Sequence, residues 1–159
     1  MSSDTASAKE RMVRTHIRVI AICLFRHKGR ILVFEGYDTV KKDYYYRPLG
    51  GAVEPGETTA QTLAREIREE LGQEITDVRL LGVLENLFTC DGKAGHEIVF
   101  VYDGHFVDES IYSLPEMTMT EDGGVTARAM WHGMDSFDAT HRLVPESLAS
   151  LLNSEPSLA

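Results

Sequence analysis

The chain has 159 residues, 43% of them hydrophobic and 26% charged, and its formal net charge is −9 at pH 7. This length fits a single domain, and the composition excludes a disordered or fibrous chain. The negative charge disfavours nucleic acid as a partner, because binding to a phosphate backbone relies on clustered Lys and Arg. A phosphorylated small molecule would need a local cation, either an arginine or a metal ion.

The sequence begins with small, polar and charged residues, so residues 1–14 are predicted to be a flexible leader before a single domain over residues 15–155. This stretch lacks the apolar core of a signal peptide, and no segment approaches the roughly 18 apolar residues of a membrane span. The two cysteines, Cys23 and Cys90, lack metal-site spacing, and Cys23 is expected in the core. We therefore expect a cytoplasmic protein without a membrane partner.

The first half of the domain is predicted to consist of strands. The segment from Ile17 to Arg26 is rich in β-branched residues, and RILVFEG follows a turn at Gly29, so the pair is predicted to form a β-hairpin. Tyr44 to Arg47 is predicted to be a strand that leads into the glycine pair Gly50-Gly51.

A helix is predicted from Thr58 to Leu71, where the hydrophobic period changes. Glu57, Thr58 and Thr59 offer acceptors for its first turn, and Gly72 is a natural end. The residues that recur at three- and four-residue intervals are Ala60, Leu63, Ala64, Ile67 and Leu71.

Strands dominate the rest of the chain as well. They are predicted over ITDVRLLGVLENLFT, HEIVFVYDGHFV and TARAMWHG, with SLPEMTMTEDGG as a loop before the last of them. The segment VPESLASLLN is predicted to be a closing helix with Leu148, Leu151 and Leu152 inward. The expected fold class is α/β (α+β), with a mixed β-sheet flanked by helices.

Three glutamates, Glu66, Glu69 and Glu70, fall on one face of the predicted helix, away from its apolar stripe. Like charges at these offsets cost roughly a few tenths of a kcal/mol on an exposed helix, so a solvated acidic surface would explain them. A Mg²⁺ ion would explain them as well, because it prefers oxygen ligands. The helix alone leaves both explanations open.

The glycines before the helix add to this pattern. Gly50, Gly51 and Gly56 would allow a ligand or metal to approach the main chain closely, and the helix start offers free N–H donors. A glycine pair alone is most often a turn, so the informative feature is its spacing to the glutamates.

That spacing resembles a known motif. From Gly51 the chain has five residues, Glu57, seven residues, Arg65-Glu66, the aliphatic Ile67, one residue, Glu69-Glu70, one residue and Gly72. This frame resembles the Nudix box of the Nudix hydrolases at every fixed position except the last. There the family prefers an aliphatic residue and this chain has Gln73, although Ile75 follows two residues later.

The resemblance implies a Nudix-type α/β/α sandwich around a mixed β-sheet. It also implies cleavage of the diphosphate linkage in a nucleoside diphosphate joined to another group, with Mg²⁺ or Mn²⁺ as cofactor. By matching position, the implied metal ligands are the carboxylates of Glu66, Glu69 and Glu70 and the carbonyl of Gly51.

Further roles follow from the same resemblance. Glu57 and Arg65 are implied to form the ion pair that ties the loop to the helix. The catalytic set is Glu66, Glu70, Glu57 and Arg65, with Glu66 a candidate for the general base. Other family members take the base from a downstream loop, where this chain offers Glu116 and Glu121. Contacts to substrate phosphates are expected from Arg47, Gly50 and Gly51.

The substrate stays open. A proline about fifteen residues after the box resembles the ADP-ribose group, and a tyrosine slightly further on resembles the dinucleoside polyphosphate group. This chain has Leu87 to Asp91 there. His96 and Glu97 are expected to be structural more often than catalytic, and the aromatic residues Tyr44, Tyr45, Tyr46, Phe88 and Trp131 could stack on a base or face the core.

Two readings of function remain at this point. The leading one is an enzyme acting on a small nucleotide, because all four box glutamates are present. The alternative is a non-catalytic Nudix ligand-binding or regulatory domain. A homodimer is among the expected states, since dimers are common in small enzymes.

Overall fold

The structure is a computed structural model that describes residues 16–154. The predicted leader, residues 1–14, lies outside the described residues. The strands of the described range are β1 Ile17–Leu24, β2 Arg26–His27, β3 Arg30–Asp38, β4 Asp43–Ala52, β5 Ile75–Cys90, β6 Lys93–Phe106, β7 Glu116–Thr120, β8 Thr126–Gly133 and β9 His141–Leu143. The α-helices are α1 Thr59–Leu71 and α2 Leu148–Ser154, and short 3₁₀ segments cover Glu109–Ser113 and Asp122–Gly124.

The strands form one mixed sheet, as predicted. Their order is β5-β6-β1-β4-β3-β8-β7, with β2 paired to β3 and β9 paired to β4. β1 runs parallel to β6 and antiparallel to β4, and it is buried from Ile20 to Leu24.

One helix packs on each face of this sheet, which confirms the expected α/β/α sandwich. Ala21 and Cys23 of β1 share a buried cluster with Leu63 and Ile67 of α1. The alternate residues of β1, including Ile22, share another buried cluster with Leu148 of α2. The apolar run VIAICLF follows from this arrangement, because a strand covered on both faces has no polar side. Neither helix in the described range has the length and apolar character needed to cross a membrane.

The predicted hairpin of the first two strand segments is wrong for most of its length. Only β2, Arg26–His27, pairs with the start of β3. β1 itself pairs with β4 and β6 instead. Hydrophobic runs predict that a strand exists, but the choice of partner depends on packing between distant segments.

Two other segments differ from prediction. SLPEMTMTEDGG is not a loop throughout, because Glu116–Thr120 forms β7 and pairs with β8. Met119 of this strand is buried in the same cluster as α1. The closing helix begins at Leu148, after a cis peptide bond between Val144 and Pro145, rather than near Pro145 itself.

Helix α1 begins and ends where the sequence indicated. Thr58 is the N-cap, and its side chain forms a capping box with Gln61. Gly72 has φ 66° and ψ 25° and donates its N–H to the carbonyl of Arg68. A left-handed residue at this position favours glycine, which explains the abrupt end of the helix.

The loop before α1 is tied to the helix by the predicted ion pair. Arg65 Nε lies 2.8 Å from Glu57 Oε2, and Arg65 Nη2 lies 3.0 Å from Glu57 Oε1. The guanidinium holds the pKa of Glu57 at about 2, with help from the Glu54 N–H and the Thr62 hydroxyl. The ordinary value is 4.5, so the fold stabilises the ionised carboxylate.

The low pKa of Glu57 predicts a specific loss of stability in acid. Its contribution to the free energy of unfolding is fully present above the unfolded pKa near 4.5 and is lost as pH falls toward about 2. We expect Glu57→Gln to be less stable than the wild type at pH 7, with the two unfolding free energies converging near pH 2. Urea unfolding between pH 2 and 7 measures this.

Glu109→Gln is the matched control, because it removes an exposed glutamate far along the chain from the loop. Its unfolding free energy should follow the wild-type pH dependence. An equal gap between wild type and Glu57→Gln at pH 2.5 and pH 6 would contradict the assignment.

Candidate active site

The end of β4 meets α1 at a contact between main chain and carboxylate. Gly51 is the next-to-last residue of β4, opposite Ala21 of β1, so the glycine pair belongs to a strand rather than to the turn that such a pair most often forms. A Cβ at Gly51 would overlap the carboxyl group of Glu66, and a Cβ at Gly50 would overlap the carbonyl of Ala21. Gly50 therefore requires glycine, because the overlap there is with main chain, whereas a side chain at Gly51 would displace the Glu66 carboxyl group.

Arg65 connects this contact to the rest of the predicted box. Its Nη1 lies 3.1 Å from Glu66 Oε1 and 3.3 Å from Glu69 Oε2. Its Nη2 donates to the carbonyl of Ala52 at 3.2 Å, at the last residue of β4. The hydrogen bonds to Glu57 raise the pKa of Arg65 most, and the nearby charge of Glu66 raises it further, so this side chain stays a cation.

The three predicted metal carboxylates differ in exposure. Glu66 is 9% exposed, Glu70 is partly buried, and the side chain of Glu69 is 52% exposed. The prediction that all three point away from the core is wrong for Glu66, because the end of β4 covers it. In the part of the chain that the structure describes, no three His, Cys, Asp or Glu side chains are gathered in a ready-made metal site.

The residues present nevertheless fit a hard divalent cation. The contact between the Gly51 main chain and the Glu66 carboxyl group places a backbone segment beside a buried carboxylate, with no side chain between them. Two further carboxylates, Glu69 and Glu70, follow within four residues. An all-oxygen donor set of this kind suits Mg²⁺ or Mn²⁺ and does not suit a soft metal.

Arg47 lies on β4, four residues before Gly51. Its side chain is partly buried, with the guanidinium carbon 6.0 Å from the ring centre of Phe34. Its Nε is buried and has no hydrogen-bond partner among the described residues. Arg47 is therefore not an exposed surface arginine, and it has a donor to offer to an anionic ligand.

A cavity of about 570 Å³ adjoins Arg47. Its walls come from β4, from the facing part of β5 and β6, and from the segment before α2. The residues that bear on its chemistry are Tyr45, Arg47, Phe88, Glu97 and Arg142.

One side of this cavity is held by contacts between two hairpin tips, the turn between β3 and β4 and the turn between β5 and β6. Lys41 Nζ donates to the carbonyl of Thr89 at 2.7 Å, and Thr39 donates to Asp91 at 2.8 Å. Asp38 is 1% exposed and accepts from backbone N–H groups of its own turn and of Asp91. Those hydrogen bonds, led by the one from Lys41, lower the pKa of Asp38.

Other candidate residues lie in different surroundings. Glu116 lies on β7 and pairs with Arg128 at 3.3 Å, while Glu121 follows that strand. Tyr46 is buried and donates to Glu35, and its burial raises its pKa to about 12. Of the aromatic residues that the sequence left between base stacking and core packing, Tyr46 and Trp131 lie in the core.

Sequence reasoning missed most of the cavity wall. Arg142 forms an ion pair with Asp43, with 3.0 Å between Arg142 Nε and Asp43 Oδ2. The two residues are 99 positions apart in the sequence, so no local pattern indicates this pair. Asp38 could have been found, because an aspartate followed by turn residues is typical of a capped turn.

Comparisons with known proteins show the family and the fold of the chain. The model of the NUDIX domain family matches residues 14–151. A comparison with curated proteins gives no match.

Among solved structures, a MutT NUDIX hydrolase from Burkholderia pseudomallei is similar, with a TM-score of 0.61 at 22% identity over 88% of this chain and 99% of that one. A UDP-X diphosphatase is similar with a TM-score of 0.56 at 18% identity over 92% of this chain and 68% of that one. The E. coli ORF135 protein has a TM-score of 0.50 at 20% identity over 86% of both chains.

At these identities the solved structures establish the fold alone, whereas the family model covers nearly the whole sequence. The chain belongs to the NUDIX domain family, and the segment that resembles the family's box lies at its β4–α1 junction.

Proposed function

We propose that the chain is a metal-dependent hydrolase that cleaves the diphosphate linkage of a nucleoside diphosphate joined to another group. The observation that carries this proposal is the contact of the Gly51 main chain with the buried carboxyl group of Glu66. Family membership and the similarity to a MutT NUDIX hydrolase and a UDP-X diphosphatase support it. The proposal places the protein in the cytoplasm, acting on a small nucleotide, with a homodimer as a further expectation.

The proposed cofactor is Mg²⁺ or Mn²⁺, held by Glu66, Glu69, Glu70 and the carbonyl of Gly51. When bound, it supplies positive charge that offsets the diphosphate oxygens and lowers the pKa of a bound water. The chain itself, at −9, has a surplus of negative charge, so this local cation is needed for a polyanionic substrate.

The chain's own residues position the reacting groups. Arg65 donates to Glu66 and Glu69 and is itself held by the two hydrogen bonds that it donates to Glu57, so the carboxylates keep a fixed orientation. Glu66 is the proposed general base, since it is next to the Gly51 main chain. Glu121 remains the alternative base, whereas the ion pair with Arg128 argues against Glu116.

A non-catalytic ligand-binding domain is the second candidate. Such a domain has no need of the complete set of Glu57, Glu66, Glu69 and Glu70, so the intact set favours the enzyme. One experiment that measures both nucleotide binding and turnover distinguishes the two functions, because a non-catalytic domain would show saturable nucleotide binding without turnover.

Glu70→Gln tests the metal assignment. We expect turnover with Mg²⁺ to fall at least about a hundredfold, since the change removes a charged oxygen ligand of the catalytic cation. Nucleoside triphosphates, nucleotide sugars, ADP-ribose and dinucleoside polyphosphates should be screened by phosphate or nucleotide release. The melting temperature should change little.

Glu74→Gln is the control for this experiment. Glu74 pairs with Arg68 of α1 at 2.7 Å and lies outside the box. It should keep wild-type turnover. Full activity of Glu70→Gln, or full activity of the wild type in excess EDTA, would exclude the metal assignment.

Arg47→Ala tests the phosphate contact. Because Arg47 would bind the substrate before and during the reaction alike, we expect KM to rise about tenfold or more with a smaller change in kcat. Arg47→Lys should restore part of the affinity, since it keeps the charge but loses the planar fork. Arg128→Ala, an exposed arginine on β8, should behave as the wild type, and an unchanged KM in Arg47→Ala would refute the contact.

A further inference from the structure

The cavity beside Arg47 has a wall that the proposed hydrolysis does not use. It carries two aromatic rings, Tyr45 and Phe88, and the carboxylate of Glu97. Glu97 is only 4% exposed although it lines an open space. The volume of about 570 Å³ is in the range of cavities that bind small ligands.

Each ring lies over a glycine of the neighbouring strand. Tyr45 is opposite Gly36 in the β3–β4 register, and Phe88 is opposite Gly95 in the β5–β6 register. A Cβ at either glycine would overlap the ring. Both rings thus rest directly on main chain and are positioned before a ligand arrives, which lowers the entropy lost when a planar group stacks on them.

Glu97 has unused capacity to accept hydrogen bonds. Its Oε1 accepts one from Asn86 Nδ2 at 3.3 Å, and its Oε2 lies 3.7 Å from Nη1 of Arg18, a half-exposed side chain. Oε2 is buried and has no hydrogen-bond partner among the described residues. A carboxylate has about four acceptor positions, and a buried acceptor without a donor is unfavourable.

The Glu97 carboxylate can accept a hydrogen bond from a group in the cavity. The terminal torsion of a glutamate is soft, so either oxygen can turn toward the open space. A donor group in the cavity would then give this acceptor the hydrogen bond that the described residues do not supply.

We propose that Glu97 determines the specificity of this cavity for a nucleobase, which stacks on the wall formed by Tyr45 and Phe88 and donates an amino hydrogen to the Glu97 carboxylate. The inference rests on the proposed function, which assigns the phosphate end of the ligand to Gly51 and Arg47. Tyr45 lies on the same strand, β4, two residues before Arg47, so a base on Tyr45 would adjoin those phosphates. A base suits the two rings better than a second sugar does, since its flat face stacks on them.

Three pairs of nucleoside monophosphates test the inference on the wild type. The pairs are AMP with purine riboside monophosphate, GMP with IMP, and CMP with its analogue that lacks the 4-amino group. The members of each pair differ by one amino group. We expect the amino compound of at least one pair to bind about ten- to a hundredfold more tightly in isothermal titration calorimetry. Equal affinities within all three pairs would overturn the inference.

Glu97→Gln then tests the residue. Because Gln has a similar volume but no charge, the preference for the amino compound should fall below about threefold. Glu109→Gln, which removes an exposed glutamate outside the cavity, should keep the wild-type preference. If Glu97→Gln kept the full preference for the amino compound, Glu97 would be excluded as the residue that recognises the base.

Phe88→Leu separates stacking from recognition. It should weaken binding of both members of a pair by a similar factor and leave the preference unchanged. This variant also tests the cavity if Glu97→Gln does not fold. If Phe88→Leu lost the preference for the amino compound but bound the amino-free compound with wild-type affinity, the stacking role of Phe88 would be contradicted.

The failure of this inference differs from the failure of the proposed function. Monophosphates contain no diphosphate linkage, so their binding preference does not depend on hydrolysis. Hydrolysis without an amino preference would overturn only the role of Glu97. A preference for the amino compound without hydrolysis of any diphosphate substrate would overturn only the proposal that the chain is an enzyme.

Discussion

The guanidinium of Arg65 is the group on which the candidate site depends. It contacts the last residue of β4, the loop residue Glu57, and both Glu66 and Glu69 of α1. Four negative or partly negative oxygen groups from three segments would otherwise repel one another at short range. One planar cation with five donors satisfies them together, which lysine could not do.

This arrangement explains how a helix can hold several glutamates close together without metal. Two of the Arg65 nitrogens, Nε and Nη2, are committed to Glu57, which leaves Nη1 for Glu66 and Glu69. The ion pair to Glu57 therefore keeps Arg65 in place even when the contacts from Nη1 change. The structural pair and the proposed catalytic carboxylates are parts of one network.

Local sequence patterns predicted the features that depend on neighbouring residues. The helix α1 follows from its apolar period, the Thr58 cap and the left-handed Gly72, all of which act within a few residues. Burial of Cys23 followed from an apolar run without a polar side. Strand β7 was missed, although the alternation of Met and Thr from Met117 to Thr120 is a strand signal with Met119 inward.

Features set by distant contacts could not be predicted in this way. β1 pairs in parallel with β6, some 80 residues later, and no property of either run specifies that choice. A helical wheel gives the angular position of Glu66 around α1 but says nothing of β4, whose end covers it, so its burial was not predicted. The cavity wall likewise combines Arg142 with Tyr45 and Phe88 from opposite parts of the sequence, so only the fold reveals it.

The contacts between the two hairpin tips have a consequence for how such a protein can diversify. The turn after Asp38 and the turn at Asp91 meet each other, while β4 and α1 carry the box independently. Turns tolerate insertion and exchange far better than strands whose register is fixed on both sides. Changes in length or sequence at these tips would reshape the cavity beside Arg47 and leave the proposed catalytic residues in place, so the two regions can change separately on one sheet.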